Sequence, residues 1–394
     1  MKYFALILTA ILLFSGCAAP VAPVETTVAT TSPETSAVEE TTSQETTIPE
    51  TTIPATETTA APDPIEILLN SMTVEEKVGQ LFLARCPDTD ALSHIQKYHL
   101  GGYILFGRDF ENETPDSLKA TLSGYQNASK IPMLIAVDEE GGTVCRVSSY
   151  DAFRANRFYS PRWLYDNGGS ELLLETETEK CQLLSGLGIN VNMAPVCDIT
   201  TDPNAFMYSR SLGQDAETTG QLIAQMVGTM NTYGIGSVLK HFPGYGNNTD
   251  THVGIAIDQR SLESLELTDL VPFQSGIDAN CGAILVSHTI VECLDSQLPA
   301  SLSPDVHAYL RNEMEFDGVI VTDDLVMDAI SKQYGVGEAA VLAVLAGNDL
   351  LCSSDYPTEY EAILQAVSGG RISSELLDSA VMRVLRWKTE LGLI

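Results

Sequence analysis

The chain is 394 residues long, carries 53 acidic against 21 basic side chains, and has a formal net charge of −32. No basic stripe is available to neutralise phosphates, which excludes nucleic acid as a partner. The eight cysteines are scattered with no CxxC, and none of the six histidines is spaced HxxxH, so neither a metal site nor a small disulfide framework is indicated and no cofactor is expected.

The chain opens on "MKYFALILTAILLFSGCAAP", one lysine followed by an apolar core from Phe4 to Phe14. That is a secretory signal pattern, too short for a comfortable membrane span. "FSGC" resembles a bacterial lipobox, which places cleavage after residue 16 and a lipid on Cys17; ordinary cleavage after Ala18 or Ala19 is the alternative. Residues 17–62 then form a tether rich in Thr, Pro and Glu, with the near-repeat "ETTIPETTIPATETT" and no Lys, Arg or aromatic residue. Such a segment cannot bury enough apolar surface to offset its ordering entropy and is expected to be disordered. The layout predicts an extracytoplasmic protein held to a bacterial cell membrane by its lipid.

Residues 63–394 have a globular composition and are expected to form one domain. "SMTVEEKVGQLF" predicts a helix start, because Thr73 and Glu76 have capping-box spacing and Val74, Val78 and Leu81 recur at helical intervals. Short apolar runs follow, in the order "LFLARC", "GGYILF", "PMLIAVD", "INVNMAPVCD", "GSVLKHF", "GAILVSH", "GVIVTDD" and "GNDLLC". Amphipathic stretches such as "ELLLETETEKCQLLSGLG" and "TTGQLIAQMVGTMNTYG" separate several of them. Strands apolar along their whole length, alternating with helices, imply a parallel sheet covered on both faces. Eight units over this length fit a single (β/α)8 TIM-type barrel better than an open doubly wound sheet, although periodicity by itself does not prove closure. No GxGxxG follows an early strand, so nucleotide binding has no motif behind it.

In such a barrel the chemistry sits at the carboxyl ends of the strands. Several runs end in polar groups: Asp138, Asp198, Lys240 with His241, Ser287 with His288, and Asp323 with Asp324. Taken singly, a strand-terminal Asp often caps the next helix; together they would line a polar pocket suited to a sugar or other small polar ligand. "GVIVTDDLVMDAI" carries two carboxylates straight from a buried strand, one expected to face the mouth and the other to turn aside or cap. In "KHFPGYGNNTDTH", residues 240–252, Asp250 stands two residues before His252 on a loop rich in Gly, Pro and Asn. An imidazole oriented by a carboxylate can transfer protons near neutral pH; the same residues could instead close a turn.

"KHFPGYGNNTDTH" resembles the KHFPG–loop–D-[ST]-H signature of glycoside hydrolase family 3, the NagZ-like β-N-acetylglucosaminidases. The likeness extends in order through "EEKVGQLFL", "GGYILFGRDFEN", "VDEEGGTVCRV", "NVNMAPVCDI", "SRSLG", "GAILVSH", "GVIVTDDLVM" and "AGNDLLC". The resemblance implies a single barrel that needs no metal or cofactor. By position it implies Asp323 as nucleophile, His252 as acid/base, Asp250 as its partner, and Asp138, Arg146, Arg210, Lys240 and His241 as sugar-binding residues. Two departures stand out: Tyr245 replaces the His of the family's PGHG loop, with a spacing to Asp250 one residue shorter, and Thr143 stands where EGGR has its Arg.

The expected function is retaining, exo-acting removal of terminal β-linked N-acetylglucosamine from cell-wall-derived or chitin-like glycans through a covalent glycosyl-Asp intermediate. Four alternatives remain at this point: a β-glucosidase of the same superfamily, which usually draws its acid/base from a further domain; a phosphorolytic variant; a lipoprotein that binds glycan without turnover; and a structural tether whose folded part serves a protein partner, which would leave no reason for a full polar rim. His288 is read as packing or pocket support; either tryptophan, Trp163 or Trp387, could stack on sugar, but Trp387 lies in a terminal helical pattern and is read as core.

Overall fold

The capping box forms as its spacing predicts. The Glu76 amide donates to Thr73 Oγ1 at 3.3 Å and the Thr73 amide donates to the Glu76 carboxylate at 3.0 Å, satisfying two otherwise orphaned donors at the start of the Val74–Gln80 helix. That helix delivers the chain into the first strand. The computed structural model describes residues 63–200, 202–246 and 254–394; the predicted signal peptide, Cys17, the tether, Asp250 and His252 lie outside the described residues.

Each of the eight apolar runs contains one strand of a single sheet: β1 (Phe82–Arg85), β2 (Gly102–Leu105), β3 (Leu134–Val137), β4 (Val191–Asn192), β5 (Gly236–Phe242), β6 (Ala283–Val286), β7 (Val319–Thr322) and β8 (Leu351–Ser353). All pairings are parallel, in the order β8-β1-β2-β3-β4-β5-β6-β7. A parallel bridge between Val321 and Leu350 joins β7 to β8, so the sheet returns on itself as a nearly closed barrel. A minor parallel pair, Ile257–Asp258 with Ile290–Val291, lies apart from the barrel sheet.

Strand parity explains why the runs are apolar throughout. Successive side chains point to opposite faces, and in a barrel wrapped by helices both faces are buried. Leu83, Ile104, Leu134, Ala136, Val191, Met193, Val238, Ala283, Leu285, Val319, Val321, Leu350 and Cys352 form the inner cluster. Their sequence neighbours Phe82, Ala84, Tyr103, Leu105, Ile135 and Val137 belong to the layer shared with the helices. Cys86, Cys145, Cys181, Cys197, Cys281 and Cys352 are buried free thiols, as their apolar settings imply.

The amino end of the barrel is closed by the last helix, Ser374–Glu390, which brings Val384 and Trp387 into the inner cluster. A Cβ at Gly236 would stand 2.7 Å from the Trp387 ring, and one at Gly282 would stand 1.9 Å from its Nε1. Glycine therefore opens β5 and immediately precedes β6, because the indole occupies the space of a side chain. Trp387 is core, as expected, whereas Trp163 is 41% exposed.

Beside Trp387, Lys388 is fully buried and donates to Gln80 Oε1 at 2.7 Å. Burial, with no carboxylate partner among the described residues, pushes its pKa down to about 7. Between that value and the unfolded value of 10.5 the unfolded chain binds a proton that the native state lacks, so stability rises with pH across this window. Below pH 7 the burial penalty is expressed in full, on the order of 3–5 kcal/mol. Lys388→Met is therefore expected to raise the thermal midpoint more at pH 6 than at pH 10, measured by calorimetry at both. An equal change at the two pH values would remove this account.

Candidate active site

The inward parity that builds the barrel core continues one step past it. The next inward positions after Leu83, Ile104, Ala136, Val238 and Val321 are Arg85, Phe106, Asp138, Lys240 and Asp323. Strand geometry alone thus follows the apolar layer with one that carries Arg85, Asp138, Lys240 and Asp323, at the carboxyl end where barrels of this kind carry their chemistry. The barrel floor registers that layer from beneath. Burial, followed by the nearby charges of Asp324, Asp323 and Asp138, drives the Cys352 thiol far above its usual pKa.

Lys240 is the centre of one half of the rim. Its ammonium lies 2.7 Å from Asp138 Oδ1 and 2.6 Å from Glu140 Oε1. Arg210 clamps Glu140 from the other side, with Nε to Oε2 at 2.9 Å and a terminal nitrogen to Oε1 at 2.6 Å, a fork geometry that only arginine supplies. The same guanidinium lies 3.2 Å from His241 Nε2, and His241 Nδ1 lies 2.8 Å from Asp198. Arg146 reaches toward Asp138 at 3.6 Å. Lys240 and Glu140 are almost fully buried. Burial alone would raise the Glu140 pKa, but the charges of Lys240 and Arg210 outweigh it and hold the carboxyl far below the usual carboxylate range. Burial opposes the Lys240 ammonium too, and Asp138 and Glu140 more than compensate, raising its pKa.

All five predicted sugar-binding residues, Asp138, Arg146, Arg210, Lys240 and His241, therefore meet in one network. The turn that makes this possible follows Glu140: Gly141 and Gly142 have φ of +108° and +66°, in the region that favours glycine. Glu139 faces the opposite way. It is fully buried and accepts the amides of Arg146, Val147 and Ser148 together with the Ser148 hydroxyl, which holds the returning segment against the rim.

The two aspartates after β7 separate clearly. Asp324 accepts the amides of Val326 and Ser354, both at 3.2 Å, and the Ser354 hydroxyl at 2.5 Å; its carbonyl also lies 3.1 Å from Nε2 of the buried His288. It ties β7 to β8. Asp323 occupies the inward position and accepts the Asp324 amide at 2.9 Å. His288 is a support residue, with Ser301 Oγ 2.7 Å from its Nδ1. Tyr245 is buried in the base of the site: its amide donates to Asp198 Oδ1 at 2.7 Å, and its ring meets those of His241 and Phe206 edge-on. The replacement of His by Tyr thus fills space under His241.

Reasoning from the sequence passed over Glu140, Arg85 and Phe106. Three successive carboxylates before two glycines in "VDEEGG" were the available signal for Glu140. Arg85 and Phe106 needed the strand register. The arrangement joins a carboxylate on the β7 rim to a charged network that can hold several hydroxyls, a layout that suits chemistry on a saccharide.

Known proteins resemble this chain over most of its length. A profile described as "Glycosyl hydrolase family 3 N terminal domain" matches residues 73–387. The β-hexosaminidase LpqI of Mycobacterium tuberculosis is 30% identical over 341 residues, which cover 84% of this chain and 85% of that protein. A solved structure of M. tuberculosis LpqI superposes with a TM-score of 0.76 at 28% identity, over 83% of this chain and 96% of that one. A glycoside hydrolase family 3 β-N-acetylglucosaminidase from Paenibacillus sp. str. FPU-7 is 34% identical with a TM-score of 0.76; the match takes in 82% of this chain and spans 63% of that longer one.

Proposed function

The chain belongs to glycosyl hydrolase family 3, and from that premise we propose that it is a retaining, exo-acting β-N-acetylglucosaminidase whose nucleophile is Asp323. The observation that carries the reading is the network of Lys240, Asp138, Glu140, Arg210 and His241 on the same barrel rim as Asp323. A non-reducing terminal sugar held by its hydroxyls on the β3–β5 side presents its anomeric carbon toward β7.

In the first step an Asp323 oxygen bonds to the anomeric carbon, the bond to the leaving oxygen breaks, and His252 donates a proton to that oxygen. In the second step His252 takes a proton from water, whose oxygen displaces Asp323. Asp250 would hold the imidazole in the correct tautomer and favour its charged form. The charged rim turns binding energy into orientation, because its groups are already held by one another before the sugar arrives. Lipidation at Cys17, a tethered position on the outer side of a bacterial cell membrane, and action on cell-wall-derived glycans in peptidoglycan turnover belong to the same proposal. The signal pattern and tether composition support the location.

The test compares chromogenic β-N-acetylglucosaminide and β-glucoside substrates, with and without phosphate, for the wild type and His252→Ala. The wild type is expected to prefer the N-acetylglucosaminide and to need no phosphate. His252→Ala is expected to lose about 10²–10⁴-fold in kcat/KM on substrates with poor leaving groups, the usual yield of general acid–base catalysis, and much less on those that need no proton. A preference for the glucoside would discard the substrate class. A uniform loss across leaving groups would discard His252 as the acid.

A further inference from the structure

Arg85 joins the described network without sharing its charge pairing. Phe106 packs against the inner cluster at the top of the barrel. The Arg85 guanidinium lies over the Phe106 ring, 4.3 Å from its centroid, and Arg146 approaches the same ring at 5.5 Å. Contacts therefore run without a break from Arg85 through Phe106, Arg146 and Asp138 to Lys240. Every other cation in that chain has a carboxylate: Lys240 has Asp138 and Glu140, Arg210 has Glu140, and Arg146 has Asp138. Arg85 makes no ion pair among the described residues, and its Nε–H is buried with no hydrogen-bond partner. In a chain with 53 acidic side chains, an arginine at the mouth without one stands apart.

Strand order shows which part of a substrate it faces. In the ring β8-β1-β2-β3-β4-β5-β6-β7, β1 stands opposite β5, so Arg85 and Lys240 look across the mouth at each other. A sugar whose hydroxyls lie on Lys240, Asp138 and Arg210 turns its other edge, with its substituents and leaving group, toward Arg85. A cleft of about 440 Å³ opens beside Arg85, lined also by His94, Arg108, Ser354, Asp355 and Tyr356. It gives such a substituent room to sit.

We propose that Arg85, seated on Phe106, is a specificity-determining residue that binds an acyl oxygen of the substrate. Resting as it does on the hexosaminidase reading, the proposal allows two sources of that oxygen: the carbonyl of the 2-acetamido group, or a carboxylate carried by the leaving saccharide. A guanidinium stacked on an aromatic ring leaves its terminal in-plane N–H groups to face such an oxygen, while the Nε–H stays buried. A hydrogen bond from a charged donor to a buried partner that is otherwise unpaired gives strong discrimination against substrates that lack the acceptor.

The experiment measures kcat/KM for wild type, Arg85→Met and Arg85→Lys on four substrates. These are an aryl β-N-acetylglucosaminide, the matching aryl β-glucoside, and an N-acetylglucosaminyl disaccharide whose leaving sugar bears a free carboxylate or its amide. Arg85→Met is expected to lower one ratio by about 10- to 100-fold, with Arg85→Lys in between because the charge survives and the planar fork does not. A fall in the N-acetylglucosaminide-to-glucoside ratio identifies the acetamido carbonyl. A fall in the carboxylate-to-amide ratio identifies the leaving saccharide. Both ratios unchanged, whether activity falls uniformly or not at all, overturns the proposal. Ratios taken within one protein cancel losses from partial unfolding. Calorimetric titration of free N-acetylglucosamine, glucose and the carboxylated leaving sugar into wild type and Arg85→Met reads the same preference without turnover, so a failure of the hydrolase reading and a failure of the arginine are told apart.

Discussion

Asp323→Asn is expected to reduce kcat by several powers of ten, the scale seen when a covalent nucleophile is removed from an enzyme whose other groups stay in place. The substitution is nearly isosteric. Its side-chain oxygen can still accept the Asp324 amide at the 2.9 Å position, so the thermal midpoint should move little. What disappears is the negative charge that, in the proposed mechanism, forms the ester with the anomeric carbon. Asp324→Asn supplies the contrast. It weakens the hydrogen bonds to the Ser354 hydroxyl and to the Val326 and Ser354 amides, so it should cost about 1–3 kcal/mol of stability with a far smaller loss of kcat. Incubation with a 2-fluoro aryl glycoside followed by peptide mass spectrometry reads the site directly. A glycosylated peptide in which the label maps to a residue other than Asp323 would end the assignment.

Lys240→Met should have the second-largest effect, and on two readouts at once. The methionine fits the buried volume but leaves Asp138 and Glu140 without their shared cation, 2.7 and 2.6 Å away in the wild type. Removing one partner of a buried ion pair typically costs about 3–5 kcal/mol. Arg210 still holds Glu140 through two hydrogen bonds, which places the expected loss at the lower end of that range. The pH dependence carries the sharper test. Glu140 has a folded pKa depressed below its unfolded value of 4.5, so its contribution is present above about pH 4.5 and is lost as pH falls through the folded value. With Lys240 gone the depression shrinks, and the midpoint of acid unfolding should move to higher pH. A wild-type-like acid transition in Lys240→Met would show that the pair does not stabilise the fold. Activity should fall by a factor of about 10² or more, mainly through kcat/KM, because the side of the rim proposed to hold the sugar hydroxyls loses its central donor.

Much of this molecule was readable before any coordinates. All eight apolar runs became barrel strands, because residues that must be buried on both faces have few alternatives to a parallel sheet wrapped by helices. The Thr73–Glu76 capping box formed as read, since both hydrogen bonds lie within one turn. Asp138, Lys240 and Asp323 were recognised as strand-terminal polar residues, a signal carried by the abrupt end of each apolar run. Glu140 was harder. Its role depends on Arg210, seventy residues later in the chain, and on a glycine turn whose shape local sequence does not specify. Arg85 went unread for a related reason, because its seat on Phe106 exists only once β1 and β2 have paired.

The chain alone therefore decided the strand content, the helix start at Thr73, the two-residue alternation that places alternate side chains inside, and the polar residues that end several of the strands. These are matters of local sterics, capping and side-chain chemistry, and they act over a few residues. Closure through Val321 and Leu350, the filling of the barrel's lower end by Trp387, the division of hydrogen bonds between Asp323 and Asp324, and the pairing of Lys240, Arg210 and Arg146 with carboxylates were decided by the tertiary structure. Each depends on groups far apart in sequence, and their separation, and hence their Coulomb energy and desolvation, exists only once the barrel has brought its strands together.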